Sequence, residues 1–350
     1  MTHPFCEPAT SSAAGDLPHL SVIVPVHAGG QNLDLCLRHL NRCDPAPDEV
    51  IVVLDGGRDD DRRIAEAHGA VVVEQRPRRG PAAARNLGAG HAHGRVLFFV
   101  DADVALHPDA IGRVLARFKS PGEVAAVFGS YDDQPTARNF LSQYRNLLHH
   151  YVHQHSQPVS ASFWAACGAI QREVFLDLGG FDERYTRPSI EDIELGDRLH
   201  GAELSVLLDP VLLCTHLKRW TVRSLLHTDL FDRAVPWTRL MLERGWAAED
   251  LALARRQKLA LITTCLGTLG LVLTPLAPGL AGTGPLFLGC NLWVQRDLLR
   301  FFSRQRGAAF AVACVPWLWL YDLYSALGLG LGFGLHVVQR GSHRPLEQRT

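Results

Sequence analysis

Short apolar runs recur along the first hundred residues: 20–27 (LSVIVPVH), 50–54 (VIVVL), 70–74 (AVVVE) and 95–100 (RVLFFV). Runs of this length, apolar throughout rather than alternating, match strands buried on both faces. The segments between them carry helical spacing: Leu33, Leu37 and Leu40, then Ile64, Ala65 and His68, then Ala84, Leu87 and His91. Strand and helix alternating at this interval predict an α/β domain with a parallel sheet covered on both faces. Ligands of such sheets bind beyond the carboxyl ends of the strands. The polar groups that follow the runs stand at those ends: His27 after the first, Asp55 after the second, Asp101 and Asp103 after the last. Each aspartate alone reads as a helix cap or a turn. Together they predict a shared carboxylate rim.

Beyond residue 125 the pattern changes. VAAVFGSY reads as a further strand, and a helical segment runs from about Ala137 to His155. FWAACGAIQREVFLDLGGFDERY gives a strand or loop and then a helix ending at Gly179-Gly180. SIEDIELGDRLHGAEL opens a helix at a Ser189 cap with acids in its first turn, and SVLLDPVLLCTH reads as strands. Residues 217–257 mix Trp, Arg and Leu amphipathically. From Leu259 to Gln295 there is no charged side chain, and Gly307 to Gln339 contains only Asp322. A bilayer span needs about 20 predominantly apolar residues, so both stretches predict membrane-embedded helices. Arg255, Arg256 and Lys258 before the first stretch, and Arg296, Arg300, Arg304 and Arg306 after it, place both of its ends in the cytoplasm. Pro275, Pro278, Gly279, Gly282, Gly284 and Pro285 turn it midway into a tight hairpin, with a single span as the alternative. The stretch 308–338 is long enough to cross once.

Charge and cysteine content narrow the function classes. A net charge of -1 supplies no field for nucleic acid. The eight cysteines are scattered without a CxxC pair, which suits reduced thiols. The opening residues show no basic segment leading into an apolar run, setting the expectation of no cleaved secretory signal. His149 and His153 lie four apart on one helical face, but no Cys or carboxylate set completes a tetrahedral zinc site around them. A helix lining an acceptor cleft is the better reading.

Chemistry concentrates in two carboxylate pairs. Asp101-Ala102-Asp103 at a strand end suits a hard divalent cation, which typically takes one or two protein carboxylates plus substrate phosphates. Glu191-Asp192 sits in a first helical turn, where the dipole favours ionised acids; a capping role alone is the competing explanation. The stretch RRGPAAARNLGAGHAHGRVLFFVDADV (78–104), with VIVPV, VLDGGRDD and GGFDERY…SIEDIELGDRL, closely resembles family 2 glycosyltransferases of the GT-A fold over about residues 20–225.

The resemblance implies a Rossmann-like nucleotide-diphospho-sugar transferase domain over 18–225, with a nucleotide-binding half (18–125) and an acceptor half (126–225). Flanking it would be a flexible 1–17, an amphipathic interfacial linker (226–257), membrane helices (258–338) and a basic tail (339–350). It further implies that Pro25, Val26 and Asp55 hold the nucleotide base, that Gly80, Arg85 and Asn86 lie beside the nucleotide, and that Asp101-Ala102 meets the ribose. Asp103 would face a diphosphate-bound Mn²⁺ or Mg²⁺, with His216 as a further ligand. Asp192 would be the general base, with Glu191 as the next candidate, and His153, Trp164 and Gly168 would belong to the acceptor side. Trp164 equally suits a core or domain contact. The chain departs from the family's pattern at His27-Ala28-Gly29-Gly30 and at Gly57, both near the base.

The activity so implied is a metal-dependent, inverting transfer of sugar from a nucleotide-sugar to a hydroxyl of a lipid-linked or membrane-associated acceptor. The enzyme would be integral to the cell membrane, with its catalytic domain on the cytoplasmic side and membrane lipids as partners. Two rivals are a sugar-nucleotide-forming nucleotidyltransferase, which has no evident use for Asp192, and a non-catalytic membrane scaffold, which has none for intact Asp101, Asp103 and Asp192.

Overall fold

The computed structural model describes residues 19–119, 124–244 and 254–342. The expected flexible 1–17 and most of the basic tail lie outside them. Strands β1 (Leu20–Val26), β2 (Glu49–Asp55), β3 (Val71–Gln75) and β4 (Val96–Val100) alternate with helices α1 (Gln31–Leu40), α2 (Asp59–Ala67) and α3 (Pro81–His91). These strands form a parallel unit in the order β3-β2-β1-β4, because each connection crosses over through a helix. Every residue of β4 is buried, which is why its sequence shows no alternation.

The sheet does not stay parallel. β5 (Val104–Leu106) follows β4 after a turn, then α4 (Ala110–Arg117), β6 (Ala126–Tyr131), α5 (Phe140–His155), β7 (Cys167–Gln171), α6 (Arg172–Asp177), α7 (Glu191–Gly201) and β8 (Val206–His216). The full order is β3-β2-β1-β4-β7-β6-β8-β5. β7 runs antiparallel to both β4 and β6, and β5 antiparallel to β8, while β6 and β8 are parallel. The parallel sheet expected from the first four runs is present, and the strands of the second half add antiparallel pairs to it. Only β4 and β5 are joined by a short turn; helices still separate β5, β6, β7 and β8, but β7 inserts between β4 and β6 in the opposite direction. One apolar core unites the eight strands, with Phe98, Phe99, Phe128 and Phe163 among its largest buried side chains.

After β8 the chain turns helical: α8 (Val222–His227), a π-helical turn (Thr228–Ala234), α9 (Val235–Arg244), α10 (Ala254–Leu273), α11 (Thr283–Val294), α12 (Arg296–Arg306) and α13 (Ala308–Ser342). α10 and α11 form the expected antiparallel hairpin: Gly270 faces Thr283, and Asn291 Nδ2 donates to Ala260 O at 3.1 Å. Its arms are short. At about 1.5 Å rise per residue, the 12 residues of α11 fall well below the ~30 Å of a bilayer core. Among the described residues the one helix long and apolar enough to cross a membrane is α13, over Ala308–Val338.

The lone acid of that helix is accommodated by polar neighbours. Asp322, 1% exposed, accepts from Thr264 Oγ1 at 2.8 Å and Gln257 Nε2 at 3.3 Å, and Asn291 Nδ2 approaches at 3.4 Å. Leu141, Trp220, Leu225 and Tyr324 then pack α13 onto the α/β domain.

Small residues set the remaining contact of α13. A Cβ on Gly328 would collide with Ala234 Cβ, and one on Gly332 would sit 2.6 Å from Thr238 Cβ. Gly330 faces open space. Gly328→Leu should therefore destabilise the detergent-solubilised full chain by about 1–3 kcal/mol through overpacking, seen as a lower thermal midpoint. Gly330→Leu should match or exceed wild type, since leucine favours helix over glycine. Equal losses in both variants would count against this packing.

Candidate active site

The Asp101-Ala102-Asp103 segment is a turn between two buried strands. Val104 N donates to Asp101 O at 3.0 Å, Asp101 N to Ala166 O at 3.2 Å, and Leu217 N to Asp103 O at 2.9 Å. These backbone bonds fix the turn to the segment before β7 on one side and to the end of β8 on the other. Both carboxyls reach the surface of a cleft of about 230 Å³, lined also by Pro25, Val26, His27, Asp55, Arg78, Arg85 and Pro188. Burial raises the Asp103 carboxyl above its usual range, and the nearby Lys218 charge opposes that rise.

A positive group does lie beside the pair. Arg85, on α3 and 4% exposed, donates from Nη2 to Asp101 Oδ1 at 2.6 Å and from Nη1 to Glu191 Oε1 at 2.8 Å. Burial opposes its charge, but the two carboxylates more than offset that and hold the guanidinium ionised. Arg85 thereby ties the end of β4 to the first turn of α7, which stand 90 residues apart in the chain.

This bridge divides Glu191 from Asp192. Glu191 is buried, and its second oxygen accepts from Ser189 N at 2.9 Å. The expected serine cap is corrected here: Ile190 occupies the cap position, and Ser189 Oγ donates to Asp232 O at 2.6 Å. Asp192 takes backbone bonds only, from Ile193 N at 2.9 Å and Ala165 N at 3.3 Å. Burial, reinforced by the adjacent Glu191 charge, pushes its carboxyl up to about 7. Neighbouring acids with diverging proton affinities suit different roles.

Asp55 organises the loop beneath the cleft. It is buried; Oδ1 accepts from Gln75 Nε2 and Arg79 N, each at 2.8 Å, and Oδ2 from Gly80 N at 2.9 Å. Gly80, at φ 96°, permits this path and lets the Thr186 backbone approach so closely that a Cβ would collide with its carbonyl oxygen. Asn86 and Gly80 do not line the cleft. Asn86 instead donates to Phe181 O and accepts from Phe181 N, each at 2.8 Å. Sequence reasoning passed over Arg78, Asn32 and Pro188 among the lining residues. Arg78 left a trace in the basic RPRRG loop after β3, whereas Pro188 left none.

The acceptor-side candidates lie elsewhere than on an open wall. His153 is buried, its Nδ1 2.9 Å from Gly129 O, and it packs edge-on against Phe128 and Trp164. Trp164 is buried between Tyr131, His149 and His153. Gly168 lies within β7 against Trp164 O and Phe163. The helix is partly exposed, with His155 at the surface, but it packs against β6 and turns His153 inward, where burial lowers its imidazole to about 4. His216 stacks on Tyr131 with ring centroids 4.3 Å apart, and burial lowers it to about 3, so it is neutral at physiological pH.

Neutral imidazole is the metal-binding form, and the pairing of His216 with Val104 brings its backbone to the residue that follows Asp103. One carboxylate, the unbridged oxygen of Asp101 and an imidazole nitrogen are a donor set for Mn²⁺ or Mg²⁺ completed by phosphate oxygens. Among the described residues no three such side chains converge into a preformed cage.

The glycosyl transferase family 2 profile matches residues 21–179. The chain is 28% identical over 225 residues to the validoxylamine A glucosyltransferase of Streptomyces hygroscopicus subsp. limoneus, covering 54% of this chain and 49% of that protein. It is 30% identical over 220 residues to the pre-mycofactocin glycosyltransferase of Mycobacterium tuberculosis, covering 59% and 44%. The chain therefore spans about half the length of the curated relatives it matches. In fold it is similar to the mannosyltransferase PcManGT from Pyrobaculum calidifontis, solved with GDP-Man and Mn²⁺, at a TM-score of 0.53 and 20% identity over 89% of this chain and 87% of that one.

Removing one partner of a buried ion pair typically costs about 3–5 kcal/mol. Arg85→Met should destabilise by roughly that much, read by denaturant unfolding of the full chain in detergent. Arg85→Lys should recover only part, because one ammonium cannot fork to two carboxylates. Wild-type unfolding of Arg85→Met would remove the bridge from its structural role.

Proposed function

We propose, from the match of residues 21–179 to the glycosyl transferase family 2 profile, an inverting, divalent-cation-dependent transfer of sugar from a nucleotide-sugar donor to a hydroxyl of a membrane-associated acceptor. The observation that carries this reading is the Arg85 bridge. It locks the donor-side carboxylate Asp101 to the turn that presents Asp192, so donor rim and proton acceptor keep one spacing.

Asp103, Asp101 and His216 would hold the cation, and the naming of a fold relative with GDP-Man and Mn²⁺ supports this. When bound, such a cation neutralises charge developing on the diphosphate leaving group. Pro25, Val26, Asp55 and Arg78 line the part of the cleft suited to the nucleoside, with Arg78 beside the Asp55-fixed loop. Asp192 takes the acceptor hydroxyl proton as that oxygen attacks the anomeric carbon. The bond from the same carbon to the diphosphate oxygen breaks, and the nucleoside diphosphate departs. A single displacement inverts the centre. A base titrating near neutrality is well matched to the task.

Membrane association is the second part of the proposal. Leu259, Ile262, Leu266 and Leu269 on α10 and Phe333, Val337 and Val338 on α13 are exposed large apolar side chains, more than a water-facing surface ordinarily carries. Arg255, Arg256 and Lys258 at one end of the hairpin and Arg296 and Arg300 at the other favour a cytoplasmic catalytic domain.

Asp192 is active as its carboxylate, and that form appears as pH rises through its proton affinity. Turnover should therefore climb about tenfold per pH unit below about 7 and level off above it. Asp192→Asn should fold and bind nucleoside diphosphate normally yet transfer sugar about 10²–10⁴-fold more slowly. Near-normal transfer by that variant would sink the assignment. Calorimetry should also show that Asp103→Ala loses the metal-enhanced part of nucleoside-diphosphate affinity and keeps the metal-free part; an unchanged metal effect would take Asp103 out of the site.

A further inference from the structure

The π-helical turn over Thr228–Ala234 between α8 and α9 is a rare element that concentrates at functional sites. Both of its acids already have partners. Asp229, buried, accepts from Arg145 Nη2 and from the Tyr324 hydroxyl, each at 2.6 Å. Asp232 pairs with Arg187 at 3.3 Å, and its backbone carbonyl accepts from Ser189 Oγ. The turn is therefore anchored at one end to α5 and α13 and at the other to the segment that leads into Glu191-Asp192.

Arg233 stands beside the second anchor. It is half-buried, and among the described residues it enters no ion pair and no hydrogen bond. Its positive charge is nevertheless felt at Asp192, Tyr131, His149 and His153. The cation whose charge weighs most on Asp103 is a different one, Lys218, which lies 4.2 Å from the Trp220 ring. Donor and acceptor sides thus each face their own cation. A guanidinium that is partly desolvated and has no ion-paired or hydrogen-bonded partner among the described residues is matched to a phosphate-type oxyanion, which it can grip with two parallel N–H bonds. Next to Arg233, Ala234 packs on Gly328 of α13, whose outward Leu327, Leu331 and Phe333 are exposed. An anion site there borders an apolar helix.

We propose that Arg233 binds a phosphate group of the acceptor, beside the hydroxyl that Asp192 deprotonates, and that the acceptor is a phosphate-bearing amphiphile. This rests on the transferase reading of Asp192 and adds the acceptor class to it.

The test uses the full chain in detergent, with phosphatidylglycerol in mixed micelles as probe, because its headgroup sets hydroxyls beside a phosphodiester. Phosphatidylcholine micelles and free glycerol phosphate distinguish a lipid source from a soluble one. Nucleoside-diphosphate affinity with Mn²⁺ is measured in parallel. Wild type should bind phosphatidylglycerol in preference to phosphatidylcholine. Arg233→Gln should lose roughly tenfold or more of that affinity while keeping nucleoside-diphosphate affinity, and Arg233→Lys should retain part of it. The exposed Arg223 of α8 supplies the control, and Arg223→Gln should change little. Glycerol phosphate binding as tightly as the lipid would overturn the amphiphile assignment. Three results would overturn the Arg233 site: no preference for the anionic lipid, equal losses in Arg223→Gln and Arg233→Gln, or a loss confined to nucleoside diphosphate. Wild type that binds the anionic lipid through Arg233 but never binds nucleoside diphosphate would instead defeat the transferase reading and leave the anion site standing.

Discussion

A guanidinium buried between α3, the end of β4 and the start of α7 constrains everything around the cleft. Removing such a group from water is costly unless both of its faces find acceptors, and Arg85 finds Asp101 on one side and Glu191 on the other. The face of the Phe181 ring, 5.4 Å from the guanidinium carbon, contributes a further favourable contact. Neither carboxylate can then move without stranding a charge. The Asp-x-Asp turn and the acidic helix start accordingly behave as one rigid piece, with Asp192 carried on it.

From this constraint the acids divide into distinct roles. Glu191 is engaged at both oxygens, by Arg85 and by Ser189 N, and Asp55 by Gln75, Arg79 N and Gly80 N. Their chemistry is positional: one fixes a helix start, the other a loop. Among the described residues Asp103 and Asp192 have no such cationic partner within hydrogen-bonding distance, and they sit in surroundings that raise their proton affinity. Acids without a cationic partner inside an otherwise ion-paired site are the ones available to ligands.

The C-terminal helices attach to this site through polar contacts set in apolar surroundings. Arg145, Asp229 and Tyr324 join α5, the π turn and α13, while Asp322 gathers α10 and α11 onto α13. Each contact satisfies a polar group that would be expensive to bury alone. The apolar helix α13 and the turn bearing Arg233 are thus parts of one packed unit.

Local pattern by itself determined much of this protein. Continuous apolar runs specified β1 to β4, since strands covered on both faces need no alternation, and the spacing after them located Asp55, Asp101 and Asp103 at strand ends around one cleft. The charge-free stretches likewise announced the helical C-terminal region, because long apolar segments have few alternatives. What only the tertiary structure decided involves partners distant in sequence. β7 inserts antiparallel beside β4, His153 and Trp164 turn inward because α5 packs against β6, and α11 stops short of a bilayer's thickness. Above all, nothing local distinguishes Glu191 from Asp192 as adjacent acids in one helical turn. Arg85, on another helix, selects Glu191 as its partner, and that choice leaves Asp192 with backbone donors alone among the described residues; such selection is a property of three-dimensional proximity, which residue order does not encode locally.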